Sequence, residues 1–91
     1  MEFQVLIGGE AGQGINKTAE ILSKALLRLG FFVFNYRDYP SLIRGGHNFN
    51  IVRASTKQIF SHNSKVDVIL ALDEKTIKLH KQQLLQDGFI I

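Results

Sequence analysis

The chain of 91 residues contains no cysteine, no tryptophan and a single proline. Without cysteine it can form no disulfide, no thiolate zinc site and no iron–sulfur ligation, and it has no cysteine nucleophile. Any redox cofactor that needs thiolate ligands must therefore be held by another domain or another polypeptide.

Long apolar runs and basic runs are also missing. Nothing approaches the roughly 18 consecutive apolar residues of a membrane span, and the N-terminus lacks the features of a secretion signal. The 11 lysines and arginines exceed the 8 aspartates and glutamates, but they are interleaved with acidic residues. These patterns predict a cytoplasmic protein that binds neither membrane nor nucleic acid, with a mild preference for anionic partners.

With 45% hydrophobic and 21% charged residues, the composition predicts one globular domain over residues 1–91. The apolar run at residues 3–7 is typical of a buried strand, and apolar residues at spacings of three and four predict a helix over 15–29. Gly30 ends that helix, and residues 31–36 form a second strand. A right-handed crossover makes the two strands parallel.

The second half begins with a predicted loop at residues 37–46, which carries the proline and two adjacent glycines. The pattern then predicts a strand over 47–54, a turn at 55–57 and a short return strand at 58–60. Such a hairpin makes the sheet mixed rather than purely parallel.

The strongest buried-strand pattern covers residues 66–72, followed by Asp73 as the N-cap of a helix that extends to about Gln86. Gly88 closes this helix, and residues 89–91 begin another apolar strand on which the sequence stops. We therefore expect a piece of a longer protein, which by itself forms a homo-oligomer to cover that strand. The predicted fold class is α/β, with three layers and a mixed, mainly parallel sheet.

Ligands of open α/β sheets bind at the carboxyl ends of the strands, where three polar clusters are predicted to converge. These are Gly8 to Gly14, Arg37 to Asp38, and Asp73. The first cluster joins a strand to a helix, where backbone N–H groups can hold a phosphate. Its glycines match neither the dinucleotide nor the Walker pattern. The alternative is a tight turn that only permits close packing.

A second motif places Arg44 before Gly45, Gly46, His47 and Asn48. Arginine offers a rigid fork for phosphate or carboxylate, and the glycines allow a ligand or another chain to approach the backbone. The alternative is an exposed arginine before a strand. We predict no metal site from His47, His62 and His80, which lack ligand spacing, and we expect His80 on a helix surface. No catalytic residue set is visible.

Several segments together resemble the gamma domain of the 2-oxoacid:ferredoxin oxidoreductases. They are Gly8 to Ile15, Tyr36 to Tyr39, Ile43 to Phe49, Val52-Arg53 with Ser55, and Val66 to Asp73. The Arg-Gly-Gly-His-Asn-Phe sequence is most similar to enzymes of the 2-oxoglutarate type, in which this domain is fused ahead of the alpha domain. Because the family's gamma domain is longer, the resemblance implies that residues 1–91 are its N-terminal half.

The resemblance implies oxidative decarboxylation of a 2-oxoacid, of the 2-oxoglutarate or pyruvate class, to an acyl-CoA. Thiamine diphosphate, magnesium and iron–sulfur clusters would be held by the alpha and beta parts, with ferredoxin as acceptor through the complex. This domain would help to receive coenzyme A and would be inactive alone. The residues implied in binding are Gly9, Gly12, Gln13, Gly14, Arg44, Gly45, Gly46 and His47.

Two other classes of function stay open from the residues themselves. One is a separate module that binds a nucleotide or phosphate, and the other is a structural domain that joins catalytic subunits. Ligand binding by the chain alone would favour the first, and no ligand binding at all would favour the second.

Overall fold

A computed structural model describes residues 2–10, 14–38, 47–57 and 65–91. In chain order the elements are β1 Glu2–Glu10, α1 Ile15–Arg28, β2 Phe32–Asp38, β3 His47–Ser55, β4 Val66–Ala71, α2 Glu74–His80, a 3₁₀ turn Lys81–Gln83 and β5 Leu84–Ile90. The predicted turn after β3 is present, since the Lys57 amide donates to Ser55 Oγ at 3.0 Å. The predicted return strand at 58–60 lies outside the described residues.

The five strands form one mixed sheet in the order β2-β3-β1-β4-β5. β3 is antiparallel to both β1 and β2, whereas β4 is parallel to β1 and to β5. All strands except β3 therefore run in the same direction, which confirms the predicted mixed, mainly parallel α/β sheet. β1 and β2 are parallel as predicted, but β3 lies between them, and its residues Ile51 and Val52 are buried on opposite faces of the sheet.

The two faces of the sheet carry one helix each, which gives the predicted three layers. On one face α1 buries Ile15, Ala19 and Leu26 against β1 and β3. Its exposed side carries the predicted i,i+4 pair, with Lys24 Nζ 3.0 Å from Glu20 Oε1. Gly30 follows the helix with a φ of 95°, a conformation that glycine adopts without strain.

The other face carries α2, which lies close to β1 at Gly8. A Cβ atom at Gly8 would lie 2.6 Å from Thr76 Cγ2, and Thr76 itself is fully buried. The absence of a side chain at Gly8 therefore allows α2 to contact the sheet directly. The same face contains a second apolar cluster built around Leu6, Ile51 and Ile69.

The predicted extension of the second helix to about Gln86 is wrong. α2 ends at His80, and β5 begins at Leu84 and contains Gly88, which does not close a helix. Leu84 packs against the second apolar cluster, so its burial favours a strand here over a further helical turn. A Cβ at Gly88 would lie 2.6 Å from the Asp67 carbonyl oxygen, which shows that β4 and β5 approach closely at this glycine.

β5 lies at an edge of the sheet that the described strands form, and its surface is partly apolar and exposed. Phe89 is 57% exposed and Ile91 67%, and Leu85 and Ile90 are exposed as well. An uncovered apolar edge favours pairing with other polypeptide. Self-association of the chain stays a prediction. No helix in the described part of the chain is both long and apolar enough to cross a bilayer.

The contact between Gly8 and Thr76 generates a stability prediction. Gly8→Ala introduces a methyl group where Thr76 Cγ2 leaves no space, so α2 must move away from the sheet. We expect the free energy of unfolding to fall by about 1–3 kcal/mol in denaturant titrations.

Thr76→Ser is the matched variant, because it removes only the Cγ2 methyl. The double variant should be more stable than the sum of the two single effects predicts. Simple additivity would contradict the direct contact.

Candidate functional site

The carboxyl ends of β1, β2 and β4 meet the first residues of β3 at one edge of the sheet. Strand register places Glu10 opposite His47 and Asp38 opposite Phe49, and Gly8 lies beside Ala71. The three polar clusters predicted to converge are therefore at the same edge in their described parts. We call this region the carboxyl edge: Gly8–Glu10, Gly14–Thr18, Arg37–Asp38, His47–Asn50 and Ala71–Asp73.

α1 begins at this edge with the first-turn backbone amides of a helix N-terminus. Gly14 is the N-cap, with a φ of 82°, and it provides no side-chain acceptor for the first amides. The first turn contains no acidic residue. Thr18 binds back to the Gly14 carbonyl through both its amide and its hydroxyl, each at 3.0 Å. The start of α1 thus has the partial positive charge and the N–H groups that attract anions.

Asn50 connects the start of α1 to β3. Its side-chain amide donates to Asn16 Oδ1 at 3.4 Å, and the residue is fully buried. Arg37 of β2 is the register partner of Asn50. Sequence reasoning missed Asn50, although one signal was available: it is a polar residue within the apolar pattern of β3.

His47 is in contact with His80, which sequence reasoning placed on a helix surface. That prediction is wrong, because His80 is only 6% exposed. The two Nε2 atoms are 2.7 Å apart, and His80 Nδ1 is 2.6 Å from Gln83 Oε1. The Phe49 ring packs edge-on against His80, with the ring centroids 4.6 Å apart. A separation of 33 residues in the chain concealed this pair from any spacing argument.

Asp73 caps α2 as predicted. Its Oδ1 atom accepts hydrogen bonds from the Thr76 amide at 2.9 Å and from the Thr76 hydroxyl at 2.7 Å. Burial raises the pKa of the Asp73 carboxyl, but the Thr76 hydrogen bonds and the positive charges of His47 and Lys75 outweigh burial. The pKa therefore lies below its ordinary value of 3.8.

Three of the residues implied in binding lie in the described parts of the carboxyl edge: Gly9, Gly14 and His47. Gly9 is buried in β1 opposite Asn48. The other five lie outside the described residues: Gly12, Gln13, Arg44, Gly45 and Gly46. No group of three or more metal-ligating side chains occurs among the residues that the structure describes.

A cavity of about 310 Å³ lies at the opposite edge of the sheet, lined by residues that include Gln4, Lys65 and Asp67. Gln4 donates from its backbone amide to Asp67 Oδ2 at 2.8 Å and from its side chain to the Lys65 carbonyl at 2.6 Å. These polar groups connect β1 to the start of β4. The cavity is thus a structural feature away from the carboxyl edge.

The capping interaction of Asp73 generates a prediction with a pH dependence. Asp73→Ala should lower the free energy of unfolding near neutral pH by about 0.5–2 kcal/mol, because the Thr76 amide loses its acceptor. Since the folded protein depresses this pKa, the stabilisation by the charged form is present above about pH 4 and is lost as the pH falls through the folded value.

Denaturant titrations between about pH 7 and about pH 2 test this dependence. Asp73→Asn retains an acceptor without the titration and should lose less stability on acidification than the parent. Asp87→Asn, at an exposed position of β5, is the control and should behave as the parent does. Equal acid sensitivity of the parent and Asp73→Asn would contradict the assignment.

The family model described as pyruvate ferredoxin/flavodoxin oxidoreductase matches residues 4–91. Among curated proteins, the 2-oxoacid:ferredoxin oxidoreductase subunit alpha from Sulfolobus sp is 32% identical over 80 residues, which cover 88% of this chain and 13% of that protein. The subunit alpha of 2-oxoacid:ferredoxin oxidoreductase 2 from Aeropyrum pernix is 30% identical over all 91 residues, or 14% of its length. The chain thus spans a small part of these relatives.

Solved structures share the fold. The 2-oxoglutarate:ferredoxin oxidoreductase from Magnetococcus marinus aligns with this chain with a TM-score of 0.87 and 24% sequence identity. The alignment covers 98% of this chain and 16% of the chain of that enzyme. The keto/oxoacid ferredoxin oxidoreductase gamma subunit from Geobacter sulfurreducens has a TM-score of 0.82 and 21% identity, covering 99% of this chain and 49% of the subunit. Together with the family match, these similarities confirm the gamma-domain resemblance. The chain belongs to the pyruvate ferredoxin/flavodoxin oxidoreductase family, as a gamma-type domain homologous to the N-terminal part of fused alpha subunits.

Proposed function

We propose that the chain is the accessory domain of a 2-oxoacid:ferredoxin oxidoreductase that oxidatively decarboxylates a 2-oxoacid to an acyl-CoA. Its carboxyl edge assists the binding of coenzyme A, and its other surfaces pack against the catalytic parts of the enzyme. The 2-oxoacid is of the 2-oxoglutarate or pyruvate class. The observation that carries this proposal is the start of α1, which has no acidic cap and lies at the same edge as His47.

Coenzyme A presents phosphate groups, and the carboxyl edge has the chemistry to receive one. The N-terminus of a helix as long as α1 carries roughly half a positive charge and several N–H donors. The Asn16 amide and the Arg37 guanidinium lie on the adjoining first turn and strand end. Arg44 precedes His47 by three residues in the sequence, and a guanidinium forms strong charge-assisted bonds to phosphate.

The carboxyl edge contains the acidic residues Glu10, Asp38 and Asp73, of which Asp73 and Glu10 oppose an anion in different degrees. Asp73 is occupied by the Thr76 hydrogen bonds. Glu10 ends β1 in an exposed position opposite His47. Repulsion by an exposed carboxylate weakens the binding of a nearby phosphate by on the order of 1 kcal/mol. One charge-assisted hydrogen bond contributes more than this to binding. The balance favours anion binding at the start of α1.

The relatives are consistent with this role. The Magnetococcus marinus enzyme, which contains a region of the same fold, was solved with 2-oxoglutarate, coenzyme A and succinyl-CoA bound. The family resemblance implies thiamine diphosphate, magnesium and iron–sulfur clusters, and this chain has no cysteine to ligate a cluster. We assign these groups to the alpha and beta parts, through which ferredoxin receives the electrons.

The exposed apolar residues of β5 support the packing part of the proposal. Phe89 is 57% exposed on β5, which lies at an edge of the described sheet. Contacts between this apolar surface and the alpha and beta parts would remove it from water. Each Å² buried would stabilise the complex by about 25 cal/mol.

Arg44→Ala in the complete oxidoreductase tests the coenzyme A role. Loss of a bond between a guanidinium and a phosphate should raise the apparent KM for coenzyme A roughly ten- to a hundredfold. The apparent KM for the 2-oxoacid should change far less. Steady-state kinetics with each substrate varied in turn measure the two constants.

Arg28→Ala is the matched control, because Arg28 lies in the last turn of α1, away from the carboxyl edge. This variant should leave both constants unchanged. If Arg44→Ala instead weakens subunit association and leaves the ratio of the constants untouched, the domain has the structural role alone.

The purified chain of 91 residues is expected to be inactive, because the groups that carry the redox chemistry are assigned to other domains. An assay with 2-oxoglutarate, coenzyme A, thiamine diphosphate, magnesium and an artificial electron acceptor should stay at background. The complete oxidoreductase under the same conditions is the positive control. Turnover by the chain alone would overturn the division of functions between domains.

A further inference from the structure

The outward side of α1 presents a row of charged side chains. Lys17, Glu20 and Lys24 follow one another at spacings of three and four residues, so they lie on one face of the helix. All three are exposed, and the side chains of Lys24 and Glu20 are 66% and 50% exposed. The residues that α1 buries against the sheet lie on the opposite side of the helix. This row therefore faces away from the core.

Three cations surround the carboxylate of this row. Lys24 Nζ is 3.0 Å from Glu20 Oε1, and the hydrogen bond from Lys24 is the main reason why the pKa of Glu20 lies below its ordinary value. The charges of Lys17 and of Arg37, which is exposed near the end of β2, lower this pKa further. Since one carboxylate cannot neutralise three cations, the surface keeps an excess of positive charge.

An exposed apolar side chain lies within this charged surface. Ile21 follows Lys17 by four residues on the same face of the helix and is 59% exposed. We define the α1 outer face as Lys17, Glu20, Ile21 and Lys24 together with Arg37. A helix surface is convex and this one extends about 10 Å from Lys17 to Lys24, whereas small-molecule sites are concave. The shape therefore fits the surface of another protein better than a small ligand.

The α1 outer face differs in chemistry from the exposed surface of β5. Permanent interfaces are apolar and contain few charged residues at their centre, which suits Phe89 on β5. Attraction between charged surfaces mainly speeds the encounter of partners that bind and leave again. The α1 outer face therefore fits an anionic protein that binds transiently.

We propose that the α1 outer face is part of the docking surface for ferredoxin, the electron acceptor of the proposed reaction. Cysteine thiolates hold the cluster of a ferredoxin, and their negative charges exceed the positive charge of the iron–sulfide core. The electron itself leaves from a cluster in another part of the enzyme, because this chain has no cysteine. The α1 outer face attracts and orients the acceptor. This inference rests on the proposed function, since it assumes an enzyme that reduces ferredoxin.

The kinetic test follows the reduction of an acidic [4Fe–4S] ferredoxin by the complete oxidoreductase, with the 2-oxoacid and coenzyme A saturating. Lys24→Glu replaces attraction by repulsion and should lower kcat/KM for ferredoxin about three- to tenfold at an ionic strength of about 20 mM. The difference should shrink at about 0.5 M, where the screening length is roughly 4 Å. The rate with an uncharged artificial acceptor and KM for coenzyme A should stay at the parent values.

Glu20→Gln makes the opposite change. It removes the negative charge of the α1 outer face and should raise kcat/KM for ferredoxin about two- to threefold at the same low ionic strength. Because poor folding cannot produce such an increase, this variant tests the docking surface even if Lys24→Glu does not assemble. Lys78→Glu is the matched control: it lies at an exposed position of α2 on the other side of the sheet, makes the same change in net charge as Lys24→Glu, and should leave kcat/KM for ferredoxin near the parent value.

The outcomes separate this inference from the proposed function. If the complete enzyme reduces ferredoxin but Lys24→Glu and Glu20→Gln leave kcat/KM for ferredoxin unchanged, the docking surface is overturned and the proposed function stands. If the parent enzyme transfers no electrons from a 2-oxoacid to ferredoxin, the proposed function itself fails. The docking surface is also overturned by equal effects of Lys24→Glu and Lys78→Glu, by a change in KM for coenzyme A in place of the ferredoxin kinetics, or by weaker subunit assembly with unchanged ferredoxin kinetics.

Discussion

The structure depends first on the burial of β1 between two other strands and two layers. Its residues from Gln4 to Gly9 are all buried. It pairs along its whole length with β3 on one side and from Val5 to Gly8 with β4 on the other. Leu6 and Ile7 are completely buried on opposite faces, and each contributes about 1.5–3 kcal/mol by leaving water. α1 begins where β1 ends, and α2 packs where β1 has a glycine, so the position of β1 sets the positions of both helices.

The same arrangement assembles the carboxyl edge from five separate segments. The antiparallel β3 enters the sheet beside the end of β1, which brings His47 next to Glu10 and Asn50 next to the start of α1. The close approach at Gly8 places α2 on the opposite face from α1 and allows His80 to reach His47. A ligand at this edge would therefore meet groups that are supported by both helical layers.

Electrostatics divides the edge into a neutralised side and a side that is open to anions. Asp73 uses its charge on the first turn of α2, where the Thr76 hydrogen bonds keep its pKa below the ordinary range. The first turn of α1 contains no acidic residue and has no side-chain cap. The start of α1 is thus the end of the two helices that attracts anions more strongly, in agreement with the coenzyme A role that we propose for this gamma-type domain.

The sequence by itself determined the features that arise from local physical chemistry. The period of apolar residues predicted α1, Gly30 predicted its end, and Asp73 predicted the start of α2. The combination of motifs identified the family, because several short patterns in one order are specific even when each is common. Local patterns carry this information since helix periodicity, capping and glycine turns involve residues only a few positions apart.

Only the tertiary structure decided the features that depend on long-range contacts. α2 ends before Leu84 because Leu84 packs against the second apolar cluster and Gly88 lies close to Asp67. Both contacts require β4 as a neighbour. The place of β3 between β1 and β2 depends on burial at both of its faces, and the pairing of His47 with His80 joins residues 33 positions apart. These contacts exist only once the sheet has formed, so no spacing along the chain encodes them.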